Sequence, residues 1–217
     1  MNWLLTRIKI VLSRIFKINI NYKNYWQKRY DEGGNSGAGS YGLLASFKTE
    51  VINSFLLEHQ INSVIEFGCG DGQQIRGINY QNYLGLDVAE TSIDLCQKLF
   101  AFDEHKSFIK YEPTSFYNHG FLQADLVVCL DVLYHIISEE EFLKTLNDIF
   151  SCARSYVVLY TSIEAYKIEP YKYGAHVRHR DVLSYLSKIN NFSIIQTIPQ
   201  RYPDLSSAHF IILQRNV

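Results

Sequence analysis

The run Val64-Ile65-Glu66-Phe67-Gly68-Cys69-Gly70-Asp71-Gly72 constrains this chain more than any other feature. A β-rich apolar segment ends in a loop of alternating glycines, where missing side chains let backbone N–H groups approach a ligand closely. A second run, Asn82-Tyr83-Leu84-Gly85-Leu86-Asp87, ends in a carboxylate 19 positions after Gly68. Together they describe a strand-loop-helix unit with a ribose-binding acid at the end of the next strand. The dinucleotide fingerprint would need its third glycine at position 73, where Gln73 stands. A nicotinamide cofactor is therefore disfavoured.

The rest of the chain alternates helix and strand. Strands are predicted at Tyr83-Leu84-Gly85-Leu86, Ser107-Phe108-Ile109-Lys110-Tyr111, Leu126-Val127-Val128-Cys129-Leu130 and Tyr156-Val157-Val158-Leu159-Tyr160. Helices are predicted over 43–59, 91–100, 138–152 and 180–189. Glu90-Thr91-Ser92 opens one of them, and Ser138 with Glu141 three residues on reads as a capping box. This βαβ order predicts an α/β, Rossmann-like doubly wound parallel sheet with helices on both faces. Two last strands, 192–198 and 208–213, have only a Pro199/Pro203 turn region between them and should close the sheet as an antiparallel hairpin, the sixth and seventh strands. At 217 residues and 47% hydrophobic content, the chain has ample core for a single domain over 21–217.

Two segments stand apart. Residues 1–20 place Leu4, Leu5, Ile8, Val11, Leu12, Ile15 and Phe16 at helical spacing among Arg7, Lys9, Arg14 and Lys17. Such a basic amphipathic helix is too interrupted to span a membrane; it suits an anionic membrane surface, a partner, or the domain's own core. Residues 31–42 pack five glycines into twelve positions, which defeats a helix and suggests a mobile loop or lid. Just before it, Tyr22, Tyr25, Trp26 and Tyr30 share a helical face from which the glycine segment could fold over a ligand.

The E-x-G-x-G-x-G form of residues 66–72, together with Asp87 and the five-plus-two strand order, resembles the class I S-adenosylmethionine-dependent methyltransferases. The resemblance implies S-adenosylmethionine as cofactor, held by Glu66, Gly68, Cys69, Gly70, Asp87, Val88 and Asp131. Asp131-Val132-Leu133-Tyr134-His135 resembles the family's acidic-x-Leu-x-His segment, in which the acid approaches the methionine end and the last residues line the acceptor pocket. The third strand departs from the family pattern: Tyr111-Glu112-Pro113-Thr114 stands where an acid after a small residue contacts the adenine amino group, so that contact stays open. The glycine segment, taken with His176-Val177-Arg178-His179, looks like methyltransferases of bacterial capsule and lipopolysaccharide assembly, which implies a sugar or anionic glycan precursor as acceptor.

Candidate bases for the acceptor proton are His135, His176 and His179. Tyr25, Tyr41, Tyr134 and Arg178 are candidates for binding substrate, and two histidines and two arginines within 176–180 offer anion-matching donors. Asp131, His135, His176 and His179 match no metal-binding spacing, so no metal is expected. A net charge of −1 provides no field for nucleic acid, and the D/N-P-P-aromatic segment of amino-group methyltransferases is missing after the fourth strand. The four cysteines form no C-x-x-C pair and read as reduced, buried thiols of a cytosolic protein. The expected activity is O-methyl transfer to a small molecule or glycan precursor. The alternatives are a catalytically silent cofactor-binding subunit and a protein or RNA methyltransferase.

Overall fold

The computed structural model describes residues 21–163 and 176–216; the helix expected over 1–20 lies outside them. The strands are β1 (Ser63–Phe67), β2 (Asn82–Asp87), β3 (Lys106–Lys110), β4 (Ala124–Leu130), β5 (Ala153–Ser162), β6 (Phe192–Ile198) and β7 (Ala208–Arg215). They form a seven-stranded sheet in the order β3-β2-β1-β4-β5-β7-β6. The first five strands pair in parallel, and β7 enters antiparallel between β5 and β6. Strand order reverses between β1 and β4, so their carboxyl ends open the crevice where such sheets bind ligands.

The helices are α1 (Tyr22–Asp31), α2 (Gly42–Glu58), α3 (Glu90–Leu99), α4 (Glu139–Cys152) and the short α5 (Val182–Leu186). Phe47, Ile52 and Phe55 of α2 join Ile93 and Cys96 of α3 in one core layer. Phe142, Leu146 and Ile149 of α4 join Val182 and Leu186 of α5 in the other. Central strand β4 is covered on both sides, which is why Leu126–Leu130 reads as one apolar run; edge strand β6 leaves five consecutive residues exposed. Ser138 Oγ caps α4 by accepting from the Glu141 N–H at 3.3 Å, as the capping box predicts. No helix of the described residues is long and apolar enough to cross a membrane.

Three expectations are corrected. The glycine loop is followed by a 3-10 turn at Ile75–Gly77 instead of an α-helix, because Gly70, Gly72 and Gly77 crowd the short span before β2. No helix joins β3 to β4 either, where Pro113, Asn118 and Gly120 favour turns. The alternation is therefore incomplete at two crossovers, although the sheet is the one expected. The helix expected over 180–189 shortens to α5, starting after Asp181, whose side chain caps it. The glycine segment also holds a single 3-10 turn, Ala38–Ser40.

Candidate active site

The first wall of the crevice is built by the β1 loop and the end of β2. Gly68 has φ +88° and Gly70 φ +58°, a backbone region that disfavours side chains. A Cβ on Gly68 would lie 2.2 Å from Val132 Cγ2, so only glycine lets the β1 and β4 loops meet. The Gly68 and Cys69 N–H groups donate to the Leu86 carbonyl at 2.7 and 3.0 Å. Asp87 completes the wall: one carboxylate oxygen accepts from the Gly70 N–H and the other from the Ala89 N–H, both at 2.9 Å. Burial pushes this carboxyl's pKa up while the Ala89 and Gly70 N–H groups draw it back. Glycine loop and acid are thus one hydrogen-bonded unit.

Glu66 lies beneath that unit, 2% exposed, and accepts from the Tyr83 hydroxyl at 2.6 Å. Burial raises its pKa to about 7, against the pull of that hydrogen bond and of the Lys48 charge. The Cys69 thiol is held protonated by burial. All four cysteines are free and buried.

The second wall follows β4. Asp131 sits at φ +62°, a left-handed conformation that aspartate tolerates better than most residues. Its carboxylate accepts from Lys48 Nζ at 2.6 Å and from the Tyr134 hydroxyl at 2.7 Å. Lys48, 1% exposed on α2, was not anticipated. The signal was its position: Leu44, Lys48 and Ile52 lie at helical spacing on the buried face of α2, and a lysine inside an apolar stripe requires a partner.

A roof closes the crevice. Tyr22, Trp26 and Tyr30 project from one face of α1 and line it together with Val88, Asp131 and His135, enclosing about 790 Å³ counted to the open mouth. The helix is fixed by Gln27, whose side-chain oxygen accepts from the Glu90 N–H at the start of α3 at 2.7 Å. The glycine segment is fastened to the first wall: the Ser36 N–H donates to Asp71, the Asp71 N–H donates to Ser36 Oγ, and the Tyr41 hydroxyl donates to Asp71, each at 2.9 Å.

The histidines gather at one end. His135 Nδ1 pairs with the His176 carbonyl at 3.4 Å, the His176 ring stacks on Tyr25 at 4.3 Å, and Trp26 meets His135 edge-on at 5.0 Å. With the Nδ1 proton donated, Nε2 is the unprotonated nitrogen of His135. Burial, aided by repulsion from His176, lowers the His135 pKa to about 4. Burial also lowers the pKa of His176 and of His179, whose ring lies 5.5 Å from that of Tyr134. His135 is the histidine that lines the crevice; His176 and His179 stand behind it.

Arg178 and the basic cluster are placed differently from the expectation of a substrate-binding site. Arg178 donates to the Ile137 carbonyl at 2.9 Å and pairs with Glu139 at 3.0 Å. Arg180 pairs with Glu139 at 3.1 Å and donates to the Ile136 carbonyl at 2.8 Å. Both guanidinium groups therefore tie the 176–180 segment to the start of α4 and leave the crevice without their charge. Lys167, Lys172 and the tyrosines that precede this cluster lie outside the described residues.

Two buried polar atoms of the lining have no hydrogen-bond partner, the Tyr22 hydroxyl and Gln74 Oε1. Enclosed polar atoms of this kind are normally satisfied, so a polar ligand fits the crevice better than an apolar one.

Residues 65–155 match a protein family described as a methyltransferase domain. No curated protein sequence matches the chain. Among solved structures, the magnesium protoporphyrin IX methyltransferase of Synechocystis PCC 6803 with bound SAH (S-adenosylhomocysteine) superposes with a TM-score of 0.63 at 17% identity, covering 90% of this chain and 100% of that one. N-methyltransferase NodS from Bradyrhizobium japonicum WM9, also with SAH, gives 0.65 at 13%, over 80% and 88%. The small RNA methyltransferase HEN1 gives 0.58 at 14%, over 80% of this chain and 25% of that one. The chain has the Rossmann-like methyltransferase fold.

Proposed function

We propose that this protein is an S-adenosylmethionine-dependent methyltransferase that methylates a hydroxyl of a sugar-type small molecule, such as a glycan precursor. The observation that carries the reading is the hydrogen-bonded unit of Gly70 and Asp87 at the sheet's switch point, sharing one crevice with Asp131 and His135. The cofactor is S-adenosylmethionine, which supplies an electrophilic methyl group when bound. Each Asp87 oxygen keeps a lone pair beyond its backbone partner and can accept from a ribose hydroxyl. The loop at 68–72 gives the cofactor's backbone-facing side room to approach. The 33–42 segment, fastened through Ser36 and Asp71, excludes water from the reacting end.

His135 is the group placed to take the acceptor proton, through Nε2. Its low pKa keeps it unprotonated from about pH 5 upward, and the nearby Asp131 charge favours the imidazolium once the proton arrives. The rings of Trp26 and His135 in the lining, backed by His176 stacked on Tyr25, favour a sugar face over an anionic group, since Arg178 and Arg180 pair with Glu139 outside that lining. The polysaccharide assignment rests on the likeness of the glycine segment and residues 176–179 to capsule and lipopolysaccharide enzymes. A surface role for residues 1–20 at the inner face of a membrane would suit such a cytoplasmic enzyme.

The test is transfer of labelled methyl from S-adenosylmethionine to fractionated bacterial glycan precursors, with identification of the product. We expect label on a sugar hydroxyl. His135→Ala should lower kcat by about 10²–10⁴-fold while SAH affinity stays unchanged. The acid limb of kcat/KM should fall near pH 4, in line with the buried imidazole, and not near 6.5. Cofactor binding with no transfer to any fraction would favour a silent subunit, and label on RNA or protein would overturn the acceptor.

A further inference from the structure

The crevice contains a polarity that the glycine loop and Asp87 do not explain. Its lining holds one enclosed hydroxyl, Tyr22 Oη, and one enclosed amide oxygen, Gln74 Oε1, each without a partner. They reach it from opposite faces of the sheet. Tyr22 packs with Phe67, Leu86 and Tyr111 on the α4 side. The Gln74 amide nitrogen donates to the Ala45 carbonyl and to Thr49 Oγ1 on α2, both at 3.1 Å. Those two bonds fix the amide orientation and leave Oε1 a pure acceptor.

The Tyr22 hydroxyl is held protonated, because burial and then the charges of Glu141, Glu112 and Asp87 all oppose its ionisation. It is therefore a donor in search of an acceptor. Other side chains near it are already engaged: Glu112 takes Lys23 at 2.8 Å, and the Tyr111 hydroxyl donates to Asp148 at 2.7 Å. The acid after β3 thus has a partner elsewhere, and Tyr22 is the polar group left beside Val88.

A ligand that satisfies both atoms needs an acceptor at the Tyr22 end and a donor at the Gln74 end. Resting on the cofactor reading above, we infer that Tyr22 donates to a ring nitrogen of the adenine and that Gln74 Oε1 accepts from the amino group of the amino-acid end. Tyr22 and Gln74 set which way round the nucleoside lies, and they select for its two ends separately. Tyr22 is a specificity-determining residue supplied by α1, so the roof helix reads the cofactor as well as covering it.

Two ligands separate the ends: S-adenosylhomocysteine carries both, and 5′-deoxy-5′-methylthioadenosine carries the adenine but no amino acid. Calorimetry on the full chain should show Tyr22→Phe weakening both ligands by the same factor, about five- to thirtyfold. Gln74→Met should weaken S-adenosylhomocysteine and leave methylthioadenosine within twofold. The ligand-free melting temperature of Tyr22→Phe should not fall, because the deleted hydroxyl has no partner to lose, which separates this role from a structural one. Equal binding of methylthioadenosine by wild type and Tyr22→Phe would overturn the adenine contact, as would a Tyr22→Phe loss confined to S-adenosylhomocysteine. A Gln74→Met loss equal for both ligands would overturn the amino-group contact. Folded wild-type protein that binds neither ligand would instead sink the cofactor reading itself.

Discussion

The two walls of the crevice are made in different ways. The first is local in sequence: Gly68 and Gly70 follow β1 and Asp87 ends β2, its parallel neighbour, and backbone N–H groups satisfy the acid. The second is assembled from distance: Asp131 depends on Lys48, 83 positions earlier, and His135 on His176, 41 positions later. A wall stabilised by backbone geometry tolerates changes to remote side chains but not to its glycines. A wall stabilised by side-chain pairs should fail one partner at a time.

The largest effect should come from the first wall. Gly68→Ala places a Cβ 2.2 Å from Val132 Cγ2 at φ +88°, and strain plus overpacking should destabilise the fold by about 3–4 kcal/mol. Chemical denaturation checks it, and a loss under 1 kcal/mol would mean that the loops do not meet as described. In the second wall, Lys48→Met leaves the Asp131 carboxylate with Tyr134 alone, and losing one member of a buried pair should cost about 3 kcal/mol. If Lys48→Met and Asp131→Asn prove additive in a double-mutant cycle, the pair is not coupled and the comparison breaks.

Glu66 sharpens the contrast, since it lies under the first wall yet feels the Lys48 charge. Its folded pKa, about 7, lies above its ordinary value of 4.5, so the folded state holds a proton that the unfolded state releases. Stability should therefore fall as pH rises through that window and level off above it. Glu66→Gln removes the dependence, gaining on wild type by roughly 2–3 kcal/mol between about pH 5 and pH 8. Parallel stability curves for the two proteins would show that the carboxyl is not held protonated.

The same division explains what the sequence discloses. Strand order and the glycine-to-acid unit are legible because each needs only local pattern: an apolar run, a turn residue, an alternation of elements. The missing helix after β1 was hidden because the apolar Ile75 and Ile78 fit a helix as well as a packed turn. The sequence disclosed the tyrosine face of α1 through its spacing. That Lys48 needs a partner was legible from its apolar stripe, but its pairing with Asp131 and that of the arginines with Glu139 were not, since the identity of a charged side chain says nothing of which carboxylate it meets. Arg178 and Arg180 look like an anion site in sequence and become a brace for α4 only when Glu139 is brought beside them.

The central claim is that the loop at 68–72 and the Asp87 carboxylate together hold the cofactor, and titration calorimetry with S-adenosylhomocysteine on wild type and Asp87→Asn tests it most directly. We predict one saturable site per chain for wild type and a loss of affinity of about ten- to a hundredfold for Asp87→Asn, the scale of hydrogen bonds to a charged acceptor. Folded wild-type protein that gives no binding heat at several temperatures, or an Asp87→Asn variant that binds as tightly as wild type, would contradict it.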